Sequence, residues 1–384
     1  MVTAVFAWML LMGVAQTELT TAPAVESEPG VGEIEMTVGP DEELVFFPTY
    51  GYRDDDGWTI NLHGWVYEME ADSTVRRLLL AALREALDVE DYAPGLRTFN
   101  ERAALFLVDS ERDEVVSIRV GEKVYTLLES GTDGHIRDRV HISDRRAKRL
   151  FKRQESPDRW LRYQAAGLPQ DAPTVEGHVL LIEPEGISVI SDIDDTIRRS
   201  NVGDIKKLLI GTFMMPFEPV AGMAELYQRW AEQGAVFHYV SESPWQLHRL
   251  LRDFLADHGF PKGTMHLRVV RLSPFDLEDL LADDDEEKAK TSRIERILRD
   301  FPKRRFILVG DDTQHDPEIY GRFARQYGDR IAKIYIRQVI EDDAGSSRMK
   351  AAFEDVPSGK IEFFTAPDQI KPLEWRSPTG PEGS

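Results

Sequence analysis

Carboxylates and hydroxyls follow three short apolar runs in the second half of this 384-residue chain. The runs are Ile187 to Ser191, Ala235 to Val240 and Phe306 to Val309. The polar residues after them are Asp192-Ile193-Asp194-Asp195-Thr196, Ser241-Glu242-Ser243 and Gly310-Asp311-Asp312, with Asp316 farther along. In doubly wound folds, functional groups sit at the carboxyl ends of the strands. The sequence therefore predicts that these side chains converge on one site.

Two carboxylates at this spacing suit the transfer of a phosphoryl group. A carboxylate can attack phosphorus to form an aspartyl-phosphate, and a second one can protonate the leaving oxygen and then activate water. Asp192 and Asp194 lie two residues apart after one strand, so their side chains share a direction while Ile193 points elsewhere. Their pKa values must be driven apart, because one has to be ionised when the other carries a proton.

Positive charge at this site is expected from Mg²⁺ and from a lysine. Carboxylate, carbonyl and water oxygens are the ligands that Mg²⁺ prefers, and Asp192, Asp311 and the main-chain carbonyl of Asp194 supply such oxygens. Ser241 can donate a hydrogen bond to a phosphate oxygen. A helical segment before the third run carries two lysines, Lys288 and Lys290, and the sequence leaves open which of them neutralises the transition state.

These motifs resemble those of the haloacid dehalogenase-like superfamily: D-x-D-x-T/V, a Ser or Thr after the second strand, a Lys, and a GD…D element. More narrowly, the chain is similar to the phosphatidate phosphatase family first described at yeast actin patches. The matching stretches are Ser191 to Val202, Val220 to Tyr227, Tyr239 to Leu247, Phe260 to Arg268 and Gly310 to Tyr320. The resemblance extends from about Gly186 to Val339.

The resemblance implies Mg²⁺-dependent hydrolysis of phosphatidate to diacylglycerol and phosphate. It also implies a role for each matching residue. Asp192 is the nucleophile, Asp194 the acid/base, Thr196 the last motif residue, Ser241 the phosphate-binding hydroxyl, Lys290 the motif lysine, and Asp311 and Asp316 the metal-site acids. Three positions depart from the family pattern: Glu242 replaces Asn, Asp312-Thr313 replaces Ser-Gly, and Ala289 replaces a His. Two extra carboxylates beside a phosphate site are expected to change the charge preference for the substrate.

The pattern of apolar residues predicts two domains. Continuous apolar runs separated by amphipathic helices indicate an α/β domain, a three-layer Rossmann-like parallel sheet, over residues 176–345. Alternation from Trp58 to Val66, the runs Val115 to Val120 and Lys123 to Leu128, and helical stretches at Val75 to Leu87 and Phe99 to Leu107 indicate a smaller α+β or β-sandwich-like domain over 41–175. Residues 16–40 have the composition of a flexible linker, and residues 346–384 are expected to be an irregular tail.

The N-terminal residues indicate where the protein is located, and its overall charge indicates which partners it can bind. An apolar run from Ala4 to Val14 and the ending Gly13-Val14-Ala15 predict a signal peptide over residues 1–15 and export to the periplasm or the medium. The alternative is a misassigned start or a buried helix in a cytoplasmic protein. The mature chain is expected to have no transmembrane segment. A formal net charge of −21 argues against nucleic-acid partners, and the lack of cysteine excludes thiolate chemistry.

The sequence allows more than one interpretation of several segments. The segment Arg198 to Pro219 is either an apolar flap over the site or a surface packed on the N-terminal domain. The basic cluster Arg145 to Arg153 is either a solvated helix face or a peripheral contact with a membrane. The acidic run Asp283 to Glu287 is expected to be a solvated loop. Besides phosphatidate, a soluble or protein phosphomonoester is the alternative substrate, and a non-catalytic secreted binding protein is the rival from another class.

Overall fold

The computed structural model describes residues 34–69, 81, 84, 95–106, 108–202, 205–269, 286–340 and 345–371. The expected signal peptide over residues 1–15 lies outside the described residues. So do most of the expected helix Val75 to Leu87 and most of the acidic run Asp283 to Glu287. Within the described part the strands form two sheets, one of nine strands and one of six.

The first sheet comes from the N-terminal half and is largely antiparallel. Its strands are β1 (Glu42–Phe46), β2 (Thr49–Arg53), β3 (Gly57–Glu68), β4 (Asp109–Ser110), β5 (Ser117–Val120), β6 (Lys123–Thr126), β7 (His135–Ser143), β8 (Trp160–Ala166) and β9 (Glu176–Ile182). The order is β1-β3-β2-β9-β8-β5-β6, with β4 and β7 also paired to β3, and only β2 and β9 run parallel. Helices α1 (Leu96–Ala104) and α2 (Asp144–Gln154) accompany it.

Strand β3 is buried on both faces, although its alternation predicts a half-buried strand. Trp58, Ile60 and Leu62 pack in the core of the N-terminal sheet, as expected from the period of two. The opposite face is covered by the second half of the chain. There the buried Asn61 accepts a hydrogen bond from Arg296 at 3.1 Å. The alternation of polar and apolar residues alone does not reveal that this face is buried.

The second sheet is entirely parallel. Its strands are β10 (Ile187–Ser191), β11 (Val236–Pro244), β12 (Gly263–Arg268), β13 (Arg305–Asp311), β14 (Ile331–Arg337) and β15 (Ile361–Phe364), in the order β12-β11-β10-β13-β14-β15. The helices are α3 (Ile205–Phe213), α4 (Met223–Glu232), α5 (His248–Asp257), α6 (Glu286–Asp300), α7 (Asp316–Tyr327) and α8 (Ser347–Ala352). The prediction of a mixed α/β domain with a parallel sheet is confirmed.

Both faces of the parallel sheet are covered by helices. Val189 of β10 packs in a core with α4 and α5, whereas its neighbour Ile190 packs in a separate core with α6, α7 and α8. Because successive side chains of a strand point to opposite faces, a strand without alternation has both faces buried. Burial of both faces therefore explains why these strands appear in the sequence as continuous apolar runs.

Three expected boundaries are wrong. Strand β9 (Glu176–Ile182) pairs with β2 and β8, so the change of sheet falls between Ile182 and Ile187 and not at residue 176. The end of the expected linker already contacts the N-terminal sheet, where the Glu35 amide donates to Ser117 Oγ at 2.9 Å. The expected tail from residue 346 contributes α8 and β15, since Phe364 inserts fully buried into the core of the parallel sheet.

The two sheets pack against each other through β2, β3 and α6. Tyr50 donates to Asp300 Oδ2 at 2.7 Å, and the rings of Phe47 and Trp245 lie 4.1 Å apart. Trp245 directly follows β11, so this contact reaches the loop after the second apolar run. No helix of the described residues combines the length and the hydropathy that a membrane crossing requires.

Candidate active site

Asp192 lies at the carboxyl end of β10 in a fully enclosed position. Its amide donates to the Val309 carbonyl at 2.9 Å, which continues the pairing of β10 with β13 and fixes the backbone. Only 1% of the residue is exposed. Oδ1 accepts from Lys290 Nζ at 2.8 Å, whereas Oδ2 has no hydrogen-bond partner among the described residues. Asp192 therefore offers one free carboxylate oxygen to the site.

Three buried carboxylates converge at this edge of the sheet. One oxygen each from Asp192, Asp311 and Asp316 lies within 4.8 Å of the other two. Lys290 Nζ also forms an ion pair with Asp316 Oδ1 at 2.5 Å. Gly310 makes this approach possible, since a Cβ at position 310 would lie 2.1 Å from Asp316 Oδ2. The glycine of the GD motif thus leaves the space that the Asp316 carboxylate occupies.

Burial and mutual repulsion disfavour the ionised form of these acids. Burial raises the pKa of Asp192 well above its usual range; Lys290 opposes this rise, while Asp316 and Asp311 add to it. Burial and the neighbouring Asp316 raise the pKa of Asp311 to about 7. Burial lowers the pKa of Lys290, but its two carboxylate partners outweigh that effect and raise it. With one lysine among three acids, full ionisation of the acids would leave excess negative charge in the group.

The donor set fits a divalent cation that prefers oxygen ligands. Carboxylates are the hard ligands that Mg²⁺ selects, and a bound cation is strongly favoured where several acids are buried together. The free Oδ2 of Asp192 gives an additional observation in favour of such a ligand. The carboxylate of Asp194 is not part of this group. Its expected contribution as a metal ligand is through the main-chain carbonyl.

Asp194 is held by four side chains. Its Oδ1 accepts from Arg198 Nε at 2.9 Å and from Ser200 Oγ at 2.6 Å. Its Oδ2 accepts from Ser241 Oγ at 3.0 Å and from Ser243 Oγ at 2.7 Å. Burial opposes ionisation, but Arg198 and these hydroxyls outweigh burial and lower the pKa of Asp194. The pKa values of Asp192 and Asp194 are shifted in opposite directions, and without a cation the proton is favoured on Asp192.

Ser243 also belongs to the site. A short 3-10 turn at Trp245–Leu247 follows Pro244 without any side-chain cap, and the Ser243 hydroxyl donates to Asp194. The Ser243 amide donates to Ser241 Oγ at 2.9 Å. The Ser-x-Ser spacing is the signal that reveals this role, because residues two apart at a strand end share a direction.

Thr196 and Thr313 hold Asp311. Thr196 Oγ1 donates to Asp311 Oδ2 at 3.0 Å, and the Thr313 amide donates to Asp311 Oδ1 at 2.8 Å. Thr196 is fully buried, so its hydroxyl orients a carboxylate and does not face the solvent. Thr313 stands at one of the positions that depart from the family pattern, and it supplies a hydrogen bond there.

Asp195 and Asp312 organise loops next to the site. Asp195 has a left-handed backbone (φ 53°) and is buried. Its carboxylate accepts from the amides of Ser200, Asn201 and Val202 at 2.6 to 2.9 Å. Asp312 Oδ1 accepts from the amides of Val339 and Ile340, and so ties the end of β14 to the site.

The two lysines left open by the sequence have different surroundings. Lys290 is 3% exposed and contacts Asp192 and Asp316, whereas Lys288 is exposed. One turn further along α6, Arg293 forms an ion pair with Glu242, the residue that replaces the family's Asn. Asp316 is the first residue of α7, and His315 occupies the N-cap position before it.

The segment after Arg198 packs on the N-terminal domain. Phe213 of α3 is buried and its ring lies 5.3 Å from that of Phe106. Arg102 of α1 donates to the carbonyl of Met215 at 2.7 Å. Arg198 lies 4.1 Å above the ring of Phe217, in addition to its contact with Asp194. The sequence left open whether this segment is a flap over the site or packs on the N-terminal domain. The structure shows the packing on the N-terminal domain.

The comparisons with known proteins agree with this site. Residues 187–338 match the family model described as "Phosphatidate phosphatase APP1, catalytic domain". The chain is 36% identical over 199 residues to phosphatidate phosphatase APP1 of Saccharomyces cerevisiae, over 51% of this chain and 31% of the relative. It is 29% identical over 172 residues to an uncharacterized protein of Schizosaccharomyces pombe, over 44% of this chain and 27% of the relative.

These alignments cover less than a third of the length of either relative. The matched segment begins at the first residue of β10 and ends just after β14, so it contains Asp192, Ser241, Lys290 and Asp311. The family resemblance predicted from the sequence motifs is therefore confirmed: residues 187–338 are similar to the catalytic domain of the APP1-type phosphatidate phosphatases.

Proposed function

We propose that this protein is a Mg²⁺-dependent phosphatase that hydrolyses phosphatidate to diacylglycerol and phosphate through an aspartyl-phosphate on Asp192. The fold we infer for the parallel-sheet domain is that of the haloacid dehalogenase-like superfamily. The observation that carries the proposal is the convergence of Asp192, Asp311, Asp316 and Lys290 at the carboxyl edge of the sheet. The activity named for the yeast relative supports it.

Asp192 and Asp194 divide the chemistry between them. An oxygen of Asp192 attacks phosphorus, the bond from phosphorus to the ester oxygen breaks, and Asp194 delivers a proton to the departing alkoxide. Water then attacks the phosphoryl group on Asp192 while Asp194 takes up a proton from it; the bond from phosphorus to the Asp192 oxygen breaks, which releases phosphate, restores the Asp192 carboxylate and returns Asp194 to its protonated form. Asp194 must gain a proton before the first step, and a phosphate dianion bound beside it raises its pKa in that direction.

The residues around the two acids position the substrate. Lys290 places positive charge beside Asp192, where charge develops on the equatorial oxygens of the transition state. Ser241 and Ser243 lie within hydrogen-bond distance of Asp194, so a bound phosphate group is an alternative acceptor for their hydroxyls. Asp192, Asp311 and Asp316 would hold Mg²⁺, which supplies charge neutralisation for the nucleophile and the phosphoryl group.

A soluble or protein phosphomonoester is the second candidate substrate. Glu242 is the observation behind it, because a carboxylate paired with Arg293 replaces the family's Asn next to Ser241. The rival from another class is a binding protein that keeps the fold without activity. The complete set of Asp192, Asp194, Lys290 and Asp311 argues against it.

Phosphate release from a panel of substrates tests the proposal. The panel contains phosphatidate vesicles and water-soluble phosphomonoesters, each with and without Mg²⁺. We expect release that requires Mg²⁺ and is highest on phosphatidate. Asp192→Asn is expected to abolish release, whereas Asp253→Asn, at an exposed ion pair with Arg252, serves as the matched control.

Three results would each overturn part of the assignment. An Asp192→Asn protein as active as the wild type would exclude this residue as the nucleophile. Equal or faster release from soluble phosphomonoesters would replace phosphatidate by the second candidate and leave the mechanism in place. A wild-type protein without activity on any member of the panel would favour the binding protein.

A further inference from the structure

The last polar side chains of strand β11 reach two different parts of the site. Ser241 and Ser243 donate to Asp194 Oδ2 at 3.0 and 2.7 Å. Glu242 lies between them in the sequence, so its side chain leaves the opposite face of the strand. There it forms an ion pair with Arg293 of α6. The end of β11 is therefore attached both to the proposed acid/base and to a helix.

Helix α6 also carries the lysine of the site. Lys290 and Arg293 are three residues apart, so they lie on the same side of the helix. Lys290 Nζ contacts Asp192 Oδ1 at 2.8 Å and Asp316 Oδ1 at 2.5 Å. The contact of Arg293 with β11 therefore acts within one turn of the group that places positive charge beside Asp192.

The ion pair between Glu242 and Arg293 is largely enclosed by protein. The exposed fraction of the side chain is 9% for Glu242 and 19% for Arg293. The Oε2 atom of Glu242 and the Nε atom of Arg293 are buried and have no hydrogen-bond partner among the described residues. Each charge therefore depends on the other, because removing one member of a buried pair leaves an uncompensated charge.

Apolar packing alone leaves the position of α6 along β11 less well defined. Ile294 and Ile297 of α6 pack with Val240 of β11 in one core. The hydrophobic effect is non-directional, so this contact resists separation of the two elements more than it resists a slide along the helix axis. Burying an ionic pair is a known way to fix the register between two elements, because its geometry is narrow. The ion pair supplies the directional contact that the apolar core lacks.

Other polar contacts hold α6 to different elements. Arg296 and Asp300, in the second half of the helix, bind Asn61 and Tyr50 of the N-terminal sheet. Near the start of the helix, Glu287 forms an ion pair with Arg322 of α7 at 3.3 Å. None of these contacts reaches β11, to which the ion pair joins α6.

We propose that Glu242 and Arg293 are positioning residues, whose ion pair holds Lys290 of α6 in place relative to Ser241 of β11. The inference rests on the proposed function, in which this lysine and this hydroxyl contact the same phosphoryl group. A carboxylate at position 242 suits the task better than the family's Asn, since a hydrogen bond between charged groups is stronger than one to a neutral amide. Because the lysine stabilises charge in the transition state, loosening the link should lower kcat more than it raises KM.

A double-mutant cycle tests whether the two residues act as a unit. Glu242→Gln, Arg293→Gln and the double variant are assayed with the substrate on which the wild type is most active. Each single variant is expected to lower kcat about 10-fold and to change KM less than about twofold, because a small misplacement of a catalytic group is costly. The double variant should also lose about 10-fold, whereas two independent losses would multiply to about 100-fold.

Arg322→Gln is the matched control. It removes an ion pair that joins α6 to α7 at a half-exposed position, and we expect its kcat to stay within about twofold of the wild type. Hydrogen exchange measures the link without turnover, in the absence of Mg²⁺ and substrate. The backbone amides of residues 288–292 should exchange faster in both single variants than in the wild type or in Arg322→Gln.

Three results would overturn the proposal. The first is a double variant whose loss of kcat is the product of the two single losses. The second is a pair of single variants that lower kcat no more than Arg322→Gln does. The third is faster exchange with unchanged kcat, which would show a purely structural pair. A wild-type protein without phosphatase activity would defeat the proposed function instead, and faster exchange in the single variants alone would still support the link between α6 and β11.

Discussion

Arg198 Nε donates to Asp194 Oδ1 at 2.9 Å in a position where both side chains are almost completely buried. The same guanidinium lies over Phe217, and Ser200 Oγ accepts from its Nε. These contacts leave Asp194 a single orientation. An acid/base that must reach a leaving oxygen depends on such positioning, since a misplacement of about 1 Å costs about 100-fold in rate.

Replacing Arg198 by Gln should lower both stability and kcat. Removing one partner of a buried ion pair leaves an uncompensated charge and costs about 3–5 kcal/mol, which urea unfolding measures. We expect kcat to fall about 10- to 100-fold with a small change in KM, because the substrate does not need Arg198 to bind. Arg252→Gln, which breaks an exposed pair, should cost less than about 1 kcal/mol. Equal stability of the two variants would contradict the role of Arg198.

Gly310→Ala should weaken binding of a divalent cation. The new methyl group would lie 2.1 Å from Asp316 Oδ2, so the Asp316 carboxylate must move away from Asp192 and Asp311. Displacing a group that supports a metal site typically costs about 10- to 100-fold in affinity. Isothermal titration with Mg²⁺ or Mn²⁺ measures it. Gly359→Ala, where the methyl group meets nothing within 4 Å, is the control. An unchanged affinity in Gly310→Ala would argue against Asp316 as a ligand.

Ser243→Ala should affect Asp194 even though the resemblance assigns no role to Ser243. The variant removes one of two hydroxyls that donate to Asp194 Oδ2. A hydrogen bond to a charged group is worth about 1.5–3 kcal/mol, so thermal unfolding should show a loss in that range. The exposed Ser358→Ala provides a baseline. A loss no greater than that of Ser358→Ala would mean that Ser241 alone satisfies this oxygen.

Low pH should destabilise the contact between the two sheets, because protonation of a buried histidine there is unfavourable. Burial, and then Arg252, lowers the pKa of His248 from 6.5 to about 3. Between these values the unfolded chain binds the proton and the folded chain does not, so stability falls as pH decreases through this window. The slope from one such histidine is at most about 1.4 kcal/mol per pH unit.

His248→Gln removes this titration. Denaturant unfolding from pH 7 to pH 4 should give a smaller loss of stability for the variant than for the wild type. His258→Gln, in the C-cap position of α5 and exposed, is the comparison. Parallel pH profiles of wild type and His248→Gln would show that His248 becomes protonated without cost in the folded state.

The residues at the ends of the apolar runs were predictable because their positions follow from local pattern. Strand β10 occupies the predicted run Ile187 to Ser191, and the parallel arrangement then brings Asp192 to the same edge as Ser241 and Asp311. Lys290 could not be separated from Lys288 by pattern. The choice depends on which face of α6 meets Asp192, and tertiary packing sets that face.

Contacts between distant segments account for what the sequence did not reveal. Strand β9 reads as the start of the α/β domain, but its partners are β2, more than a hundred residues earlier, and β8. The role of Arg198 depends on Phe217, which lies across the base of the segment that contains α3. Strand β15 is short and follows an irregular stretch, so only its pairing with β14 identifies it as a strand.

The sixth strand of the parallel sheet limits how the catalytic part can be isolated. The family-matched segment ends at residue 338, before β15, and Phe364 of that strand is fully buried. A fragment cut to residues 187–338 would turn β14 into an open edge and leave the place of Phe364 to water. It would also lack Tyr50 and Asn61, which anchor α6 and with it Lys290. The shortest fragment that can keep Lys290 beside Asp192 is therefore longer than the segment that matches the family model.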